Sequence, residues 1–400
     1  MLDAYLYAGG RTPFGRHAGA LSGLRPDDLL AQAIAALMAQ SGVDPTLIED
    51  VVCGCTNQAG EDARNVARHA GLRAGLPVEV AGTTVNRLCG SGLAALLDAA
   101  RAVHTGQGDW LLAAGVESMS RAPFVVAKNG TPFGREAVIF DSTIGARFPN
   151  PWIEKTFGAD TMPQTADTVG RELGIGREDS DAFAAASQAK YAAARTAGFF
   201  DGEIIPVEVP AKGKVRTVAA DEHPRPDTTA ASLAALRPLA VGGVVTAGNA
   251  SGINDGAGAL LIGSRAAGER AGLAPRGRIL SGAVAGVEPR VMGLGPVPAS
   301  RKALERAGLS LKDMDVIEIN EAFATQVLGC CKGLEIAFGD ERLNPNGGAI
   351  AVGHPLGASG VRLALTALRQ LERTGGRYAL VSMCIGVGQG IAAVIERGPD

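Results

Sequence analysis

The sequence predicts an α/β protein made of two duplicated halves with a loop-rich insertion between them. Three observations carry this prediction: a long internal repeat, apolar runs that alternate with helical patterns, and a proline-rich stretch that matches neither half. Strands that alternate with helices predict parallel sheets covered by helices. The chain has 400 residues, more than one compact core usually holds, so about two or three domains are expected.

The internal repeat links the two ends of the chain. The segment SGVDPTLIEDVVCG at 41–54 echoes AGLSLKDMDVIEIN at 307–320. The segment LCGSGLAALLDAARAVHTGQGDWLLAAG at 88–115 echoes LGASGVRLALTALRQLERTGGRYALVSM at 356–383, without a gap and at a constant offset of 268 positions. Each copy follows the order helix, acidic turn, apolar strand, loop, glycine-rich turn, helix and strand, so each predicts one α/β half.

The first copy contains one clear helical pattern and one clear strand pattern. Apolar side chains recur at helical spacing at Leu93, Leu96, Leu97, Ala100 and Val103. The run WLLAAGV that follows is continuously apolar, which is typical of a strand buried on both faces.

Residues 120–245 resemble neither copy. Prolines are frequent there, and one helical pattern stands out, REDSDAFAAASQAKYAAARTAG at 177–198. We predict a loop domain over 120–245. It is inserted into a first half made of 1–119 and 246–272, and a second half follows over 273–400.

Composition excludes several classes of protein. The net charge is −3, so no nucleic-acid or membrane partner is expected. No apolar run reaches the roughly 18 residues of a membrane helix, and the N-terminus lacks an export signal, so a cytoplasmic location is expected. Six cysteines form no disulfide framework. Four of them lack the spacing of metal ligands, so we expect core packing and no metal at Cys53, Cys55, Cys330 and Cys331. GVGQG at 386–390 lacks the spacing of a dinucleotide-binding turn.

Four residues fall at predicted strand ends or strand-to-helix turns. They are Cys89, Asn320, His354 and Cys384. The carboxyl ends of strands are where α/β sheets bind ligands. In the gapless pairing Cys89 aligns with Gly357, and we interpret that exchange as typical of a position that faces an open site. Structural alternatives exist for each residue alone: core packing for either cysteine, a turn cap for His354, and the N-cap of the following helix for Asn320.

Together these residues fit one reaction. A helix N-terminus and a nearby histidine are expected to lower the pKa of the Cys89 thiol, whose thiolate attacks a carbonyl and holds the acyl group as a thioester. Asn320 and His354 can hydrogen-bond an enolate oxygen. Backbone N–H groups at Cys89 and Gly386 can hold an oxyanion, and Cys384 can move a proton. The sum is carbon–carbon bond cleavage or formation through an acyl-enzyme.

Six motifs, in order along nearly the whole chain, resemble the thiolase family of acetyl-CoA C-acyltransferases: NRLCGSG, GVESMSRAP, VTAGNASGINDGAGA, NEAFA, NPNGGAIAVGHPLGASG and CIGVGQG. The resemblance implies the thiolase fold, in which duplicated five-layer αβαβα halves carry a loop domain. It also implies the catalytic roles: Cys89 accepts the acyl group, His354 activates the thiol, and Cys384 is the acid/base. Asn320 orients a water of the oxyanion hole, and Gly386 belongs to the second cysteine motif.

Further residues are assigned only by this resemblance. Coenzyme A is expected as co-substrate, with no permanently bound cofactor. Its contacts are expected at five positions: Arg225, Ala247, Ser251, Met162 and Phe323. The structural alternatives are a surface charge for Arg225, an ordinary turn for Ala247 and Ser251, and core packing for Met162 and Phe323. The family implies a homodimer or a homotetramer built as a dimer of dimers.

Four segments, CTNQAGEDARNVARHAGL, SRAPF, STIGARFPNP and TMPQTADTV, are most similar to thiolases that split 3-oxoadipyl-CoA into succinyl-CoA and acetyl-CoA during degradation of aromatic compounds. A buried distal carboxylate needs a cation. Arg64, Arg121 and Arg147 lie in these segments, and surface salt bridges are the alternative for each. Cleavage and condensation share every step, so both directions stay open. The other readings are a fatty-acid 3-ketoacyl-CoA or acetoacetyl-CoA thiolase, a decarboxylating condensing enzyme, and a non-catalytic acyl-CoA-binding protein.

Overall fold

The computed structural model describes residues 1–211 and 213–398. Its strands are Tyr5–Arg11 (β1), Gly15–Arg16 (β2), Asp50–Gly54 (β3), Ala81–Val85 (β4), Trp110–Ser118 (β5), Phe124–Val126 (β6), Ile139–Asp141 (β7), Val207–Ala211 (β8), Lys214–Val218 (β9), Asn254–Gly263 (β10), Gly277–Gly286 (β11), Val316–Ile319 (β12), Tyr378–Ile385 (β13) and Gln389–Arg397 (β14). Its α-helices are Pro26–Ser41 (α1), Val66–Arg73 (α2), Ser91–His104 (α3), Pro151–Phe157 (α4), Met162–Leu173 (α5), Arg177–Thr196 (α6), Ala230–Ala234 (α7), Arg265–Ala271 (α8), Pro296–Ala307 (α9), Ala324–Leu334 (α10), Ala349–Val352 (α11) and Leu356–Thr374 (α12).

One mixed sheet of ten strands runs through both halves. Its order is β12-β13-β14-β11-β1-β10-β5-β3-β4, with β2 paired to β10. The strands β3, β4 and β5 pair in parallel, as do β12 and β13, and the other pairs of this sheet are antiparallel. The prediction of parallel sheets is therefore only partly right. A tight turn such as the one between β13 and β14 can join only antiparallel strands.

The internal repeat is visible in the pairing of the strands. In the first half β5 lies between β3 and β10, and in the second half β13 lies between β12 and β14. The helices α3 and α12 precede β5 and β13 in the two copies. A single parallel bridge between Ile317 and Leu343 takes the place that β4 has beside β3.

Three apolar cores separate five layers. The first lies between α1, α2 and the sheet of the first half, around Leu30, Ile34 and Leu112. The second surrounds α3 and α12 between the two sheet halves. The third lies between α9, α10 and the sheet of the second half. This is the αβαβα order that the family resemblance implies.

The inserted region is more helical than a loop domain. Over 120–245 it contains α4 to α7 and the hairpins β6–β7 and β8–β9. Two of the prolines that indicated loops, Pro151 and Pro163, lie in the first turns of α4 and α5. Proline is well tolerated in that position because the first N–H groups of a helix have no partner within it.

A buried ion network attaches this region to the first half. The Arg11 guanidinium, fully enclosed, contacts a Glu203 carboxylate oxygen at 2.6 Å and Asp221 Oδ1 at 2.6 Å. The Tyr191 hydroxyl donates to Asp221 at 2.7 Å.

Among the described residues, no helix is long and apolar enough to cross a membrane.

Glycines let α3 and α12 approach each other at their N-terminal ends. A Cβ at Gly360 would lie 2.1 Å from the backbone nitrogen of Leu93, and one at Gly92 would lie 2.4 Å from the carbonyl oxygen of Gly357. A Cβ at Gly357 itself would lie 2.4 Å from the carbonyl oxygen of Val116. Gly357 therefore lies in close backbone packing, and the interpretation that it faces an open site is wrong.

The substitution Gly360→Ala tests this contact. Because the methyl group would meet backbone rather than a flexible side chain, we expect a loss of about 2 kcal/mol or more in the free energy of unfolding, measured by urea denaturation. Gly71→Ala in α2 is the matched control, since its Cβ would meet side chains no closer than 3.5 Å. Equal stability of the two variants would contradict the close crossing.

Candidate active site

Cys89 lies in a tight turn directly before α3. The preceding Leu88 has φ +47°, a left-handed conformation that is costly for a branched side chain. The turn is held by the Asn86 side chain, which accepts from the Leu88 N–H at 2.9 Å, and by Ser91 Oγ, which accepts from Arg87 N–H and donates to the Leu88 carbonyl. Strain before a candidate nucleophile is typical of functional sites.

The Cys89 thiol is protonated at neutral pH. Burial raises its pKa to about 11, against a lowering by hydrogen bonding from the backbone N–H groups of Gly386 and of Cys89 itself. The prediction that the helix and the histidine lower this pKa is wrong for the ligand-free site, because desolvation of the thiolate outweighs both hydrogen bonds. The two N–H groups are nevertheless the pair expected to hold an oxyanion.

His354 is held on three sides at the start of α12. Its Nδ1 lies 2.6 Å from Ser359 Oγ and its Nε2 lies 3.4 Å from Asn320 Nδ2, while the backbone N–H of His354 donates to Asn254 Oδ1 at 2.9 Å. Ser359 Oγ donates to the Pro355 carbonyl at 3.0 Å. The serine therefore accepts from Nδ1–H, and this assignment by hydrogen bonding leaves the lone pair on Nε2.

The same imidazole is neutral. Burial, followed by the nearby Arg362 cation, lowers the pKa of His354 to about 3. A neutral imidazole with an unprotonated Nε2 is able to accept a proton, as a general base must.

Asn320 lies directly after β12 and does not cap the following helix. The first residue of α10 is Ala324 and its N-cap is Phe323, so the N-cap alternative for Asn320 is wrong. A short extended segment separates strand from helix and turns the buried amide toward His354 instead. Its Oδ1 has no hydrogen-bond partner among the described residues.

Cys384 and Gly386 lie at the end of β13. Cys384 is buried in a small apolar cluster with Phe323, Ala250 and Met292. Burial, with a further contribution from the nearby Cys89, raises the pKa of its thiol well above the ordinary range. The turn that follows contains Val387 at φ +62°, a second left-handed residue beside the site.

Three of the candidate coenzyme A contacts lie near this centre. The Met162 sulfur lies 3.7 Å from the position a Cβ on Gly386 would take. Phe323 shares the apolar cluster of Cys384, and the Ser251 N–H donates to the carbonyl of the adjacent Ala322 at 2.9 Å. Ala247 is exposed in a turn close to Ser251 along the chain.

Arg225 is exposed and is joined to the site through the insertion. Its N–H donates to Gln188 Oε1 at 2.9 Å, and Gln188 Nε2 donates to the Ile350 carbonyl in α11. The backbone of this candidate contact is thus fixed to the helix that immediately precedes His354.

The three candidate carboxylate readers differ in their surroundings. Arg121 forms a two-fold ion pair with Glu61, so its charge is compensated. Arg147 has one long contact, to the Gly145 carbonyl at 3.5 Å. Arg64 is exposed at φ +66°, and no hydrogen bond or ion pair of its side chain to another described residue is found.

Sequence reasoning missed two groups that orient the site. Ser359 was within reach, because the gapless repeat aligns it with Ser91, which closes the turn around Cys89. Asn254 carries no local signal, since 100 positions separate it from His354.

The four other cysteines are buried and free, as expected for core packing. Donor atoms of Cys55, Asp62 and Glu117 lie within 4.8 Å of one another. The Glu117 carboxylate is already satisfied, because it accepts at 2.9–3.1 Å from the backbone N–H groups of Thr56, Asn57 and Gly357. We interpret it as an anchor between the loop after β3 and the start of α12.

A thiol beside two backbone N–H groups, with a neutral histidine, an amide and a second thiol, defines an acyl-transferring enzyme of the thiolase class. The family description "Thiolase, N-terminal domain" matches residues 5–266, and "Thiolase, C-terminal domain" matches residues 273–397. The chain belongs to the thiolase family and is an acetyl-CoA C-acyltransferase that uses coenzyme A as co-substrate.

Individual relatives cover the whole chain. It is 57% identical to "Beta-ketoadipyl-CoA thiolase" of Escherichia coli, over 99% of this chain and 100% of the relative. It is 45% identical to "3-ketoacyl-CoA thiolase" of Vibrio cholerae, over 97% of each chain. The crystal structure of human mitochondrial 3-ketoacyl-CoA thiolase in complex with CoA matches with a TM-score of 0.91 and 41% identity, over 99% of this chain and 98% of that one.

The substitution Ser359→Ala tests the assigned tautomer of His354. Without the hydroxyl, Nδ1–H loses its acceptor and the imidazole is free to rotate or change tautomer, so we expect kcat to fall by about 10-fold or more. Ser281→Ala is the control, since it removes another buried hydroxyl, one that donates to the Ala303 carbonyl. Both variants should lose about 1 kcal/mol of stability, but only Ser359→Ala should lose turnover in a thiolysis assay.

Proposed function

We propose that this thiolase cleaves 3-oxoadipyl-CoA with coenzyme A, forming succinyl-CoA and acetyl-CoA, in the degradation of aromatic compounds. The observation that carries the reaction is the Cys89 thiol, on which the backbone N–H groups of Cys89 and Gly386 act, in one chain with a buried neutral His354. The substrate is supported by the 57% identity to a β-ketoadipyl-CoA thiolase, against 45% to a 3-ketoacyl-CoA thiolase.

The proposed first half-reaction forms an acyl-enzyme. His354 Nε2 accepts the thiol proton, and the Cys89 sulfur attacks the C3 carbonyl carbon, whose oxyanion is held by the two N–H groups. The C2–C3 bond then breaks. The departing acetyl-CoA enolate, hydrogen-bonded near Asn320 and His354, takes its proton at carbon from the Cys384 thiol.

The proposed second half-reaction regenerates the enzyme. Coenzyme A gives its thiol proton to the Cys384 thiolate and attacks the thioester carbonyl. As the carbon–sulfur bond to the enzyme breaks, Cys89 recovers its proton from His354 and succinyl-CoA leaves. Each proton is returned, so one turnover consumes only the two substrates.

Part of the proposal is that coenzyme A lies along Arg225, Ala247 and Ser251, with its acyl end beside Met162 and Phe323. This path is supported by the placement of Met162 against Gly386 and of Phe323 against Cys384. It would lead a thioester from the exposed Arg225 to the half-buried Cys89 and the buried Cys384.

The chain is also proposed to act in the cytoplasm as a homodimer or a dimer of dimers. Strand β4 has no further strand beside it among the described residues, although its backbone could pair with another chain. Large apolar side chains are exposed along the insertion, at Phe124, Phe133, Ile139, Phe148 and Trp152. A second copy of the chain would cover such surfaces.

Acetyl-CoA tests the proposed nucleophile. We expect intact mass spectrometry to find one acetyl group on the protein, located at Cys89 by peptide mapping. The variant Cys89→Ala should carry none. The variant Cys384→Ala should acquire the same adduct at Cys89 more slowly, because acetylation by acetyl-CoA is the second half-reaction in reverse, in which Cys384 protonates the departing coenzyme A thiolate. An adduct located at another residue, or none on folded protein, would falsify the mechanism.

The distal carboxylate is tested by comparing 3-oxoadipyl-CoA with uncharged 3-oxohexanoyl-CoA, which has the same chain length. If Arg64 reads the carboxylate, Arg64→Ala should lower kcat/KM for the charged substrate by about 10- to 100-fold and leave the uncharged one unchanged. Arg147→Ala tests the second candidate. Arg121→Ala serves as the control, since Glu61 already neutralises that arginine. Preference of the wild type for uncharged substrates would favour a fatty-acid 3-ketoacyl-CoA thiolase instead.

A further inference from the structure

A buried ion pair lies behind the candidate base. Arg362 of α12 and Glu318 of β12 are 2% and 0% exposed, and a single contact of 3.3 Å joins Nη1 to a carboxylate oxygen. Arg362 Nε and Nη2 and Glu318 Oε1 have no partners among the described residues. Such a pair is expensive, because both ions leave water and neither is fully compensated. Packing of the core therefore does not explain it.

The ion pair links the two elements that hold His354. Glu318 and Asn320 lie two residues apart at the end of β12. Ser359 and Arg362 lie three residues apart, within one turn of α12. Because Asn320 contacts Nε2 and Ser359 contacts Nδ1, the ion pair joins the two elements that hold the two nitrogens of the imidazole.

Few charged groups surround this ion pair. Glu318 lies in β12 and Glu321 lies two residues after that strand. Glu203 and Lys190 come from the insertion, and Arg362 comes from α12. The only charged group found to act on His354 among the described residues is Arg362. The thiols of Cys89 and Cys384 add no charge at neutral pH, because burial raises the pKa of both.

We propose that Arg362 is a positioning residue for the thiolase reaction: joined to Glu318, it holds the imidazole of His354 between Asn320 and Ser359, and its permanent charge adds to burial in disfavouring the imidazolium. The proposal rests on the proposed role of His354 as the base. A neutral imidazole accepts the thiol proton, and the imidazolium formed next to Arg362 returns that proton readily.

Supporting electrostatics agree with this geometry. Arg362 acts with burial to lower the pKa of His354. Burial raises the pKa of Glu318 and the adjacent Arg362 opposes that rise, so each member of the pair is only partly compensated by the other.

The test is the pH profile of kcat/KM for thiolysis of acetoacetyl-CoA, compared between variants so that ionisations of the substrates are common to all. Arg362→Gln and Arg362→Met remove the charge, so the acid limb should move up by about one pH unit or more, toward the ordinary pKa of histidine. Arg362→Lys keeps the charge and should leave the limb close to that of the wild type, with a lower kcat.

Two controls separate charge from structure. Arg373→Met removes an exposed arginine of the same helix, and its profile should match the wild type. Glu318→Gln loosens the pair but keeps the cation, so the acid limb should not rise. Circular dichroism identifies the folded variants, and either neutral variant that folds decides the result.

Two results would overturn the inference. One is an acid limb at the wild-type pH in a folded, active neutral variant. The other is failure of all the Arg362 variants to fold, lysine included, which would make the role structural. A wild-type protein without thiolysis activity would instead refute the proposed function, so the two failures are distinguishable.

Discussion

The close crossing of α3 and α12 is the contact on which the site depends. These helices form the middle layer of the fold, and each is preceded by a turn that carries chemistry: Cys89 before α3 and His354 before α12. Glycine at 92, 357 and 360 lets backbone meet backbone at the N-terminal ends of both helices. Larger side chains there would separate the helices and with them the thiol and the base. The second core, around these helices, then buries both elements from either side.

Burial on this scale has an electrostatic consequence. Both members of the thiol–imidazole pair are driven to their neutral forms, because desolvation disfavours the thiolate and the imidazolium alike. The resting site is therefore a protonated thiol and a free base, not an ion pair. Hydrogen bonds and dipoles that favour the thiolate are present, but they become decisive only as the substrate brings the electrophile to the sulfur.

The duplication explains how one site can use two halves. The turn before the first central helix supplies the proposed nucleophile, while the second copy supplies Asn320, His354 and Cys384 from three separate strand ends or turns. The insertion packs over this junction and is attached by the buried Arg11 network. Its prolines indicated loops, yet Pro151 and Pro163 lie in the first turns of helices. A proline pattern alone does not distinguish a turn from the first turn of a helix.

The sequence by itself determined the α/β class, the duplication and the four chemical side chains, because periodicity and motifs are local and a repeat can be read by alignment with itself. It also placed Ser359 within reach. Only the tertiary structure decided that Gly357 lies in backbone packing, that Asn320 faces the histidine rather than capping a helix, and that the Cys89 thiol stays protonated. These depend on which residues from distant positions, such as Asn254, Gly386 and Arg362, surround each group. Desolvation and close packing are properties of that surrounding and not of the local sequence.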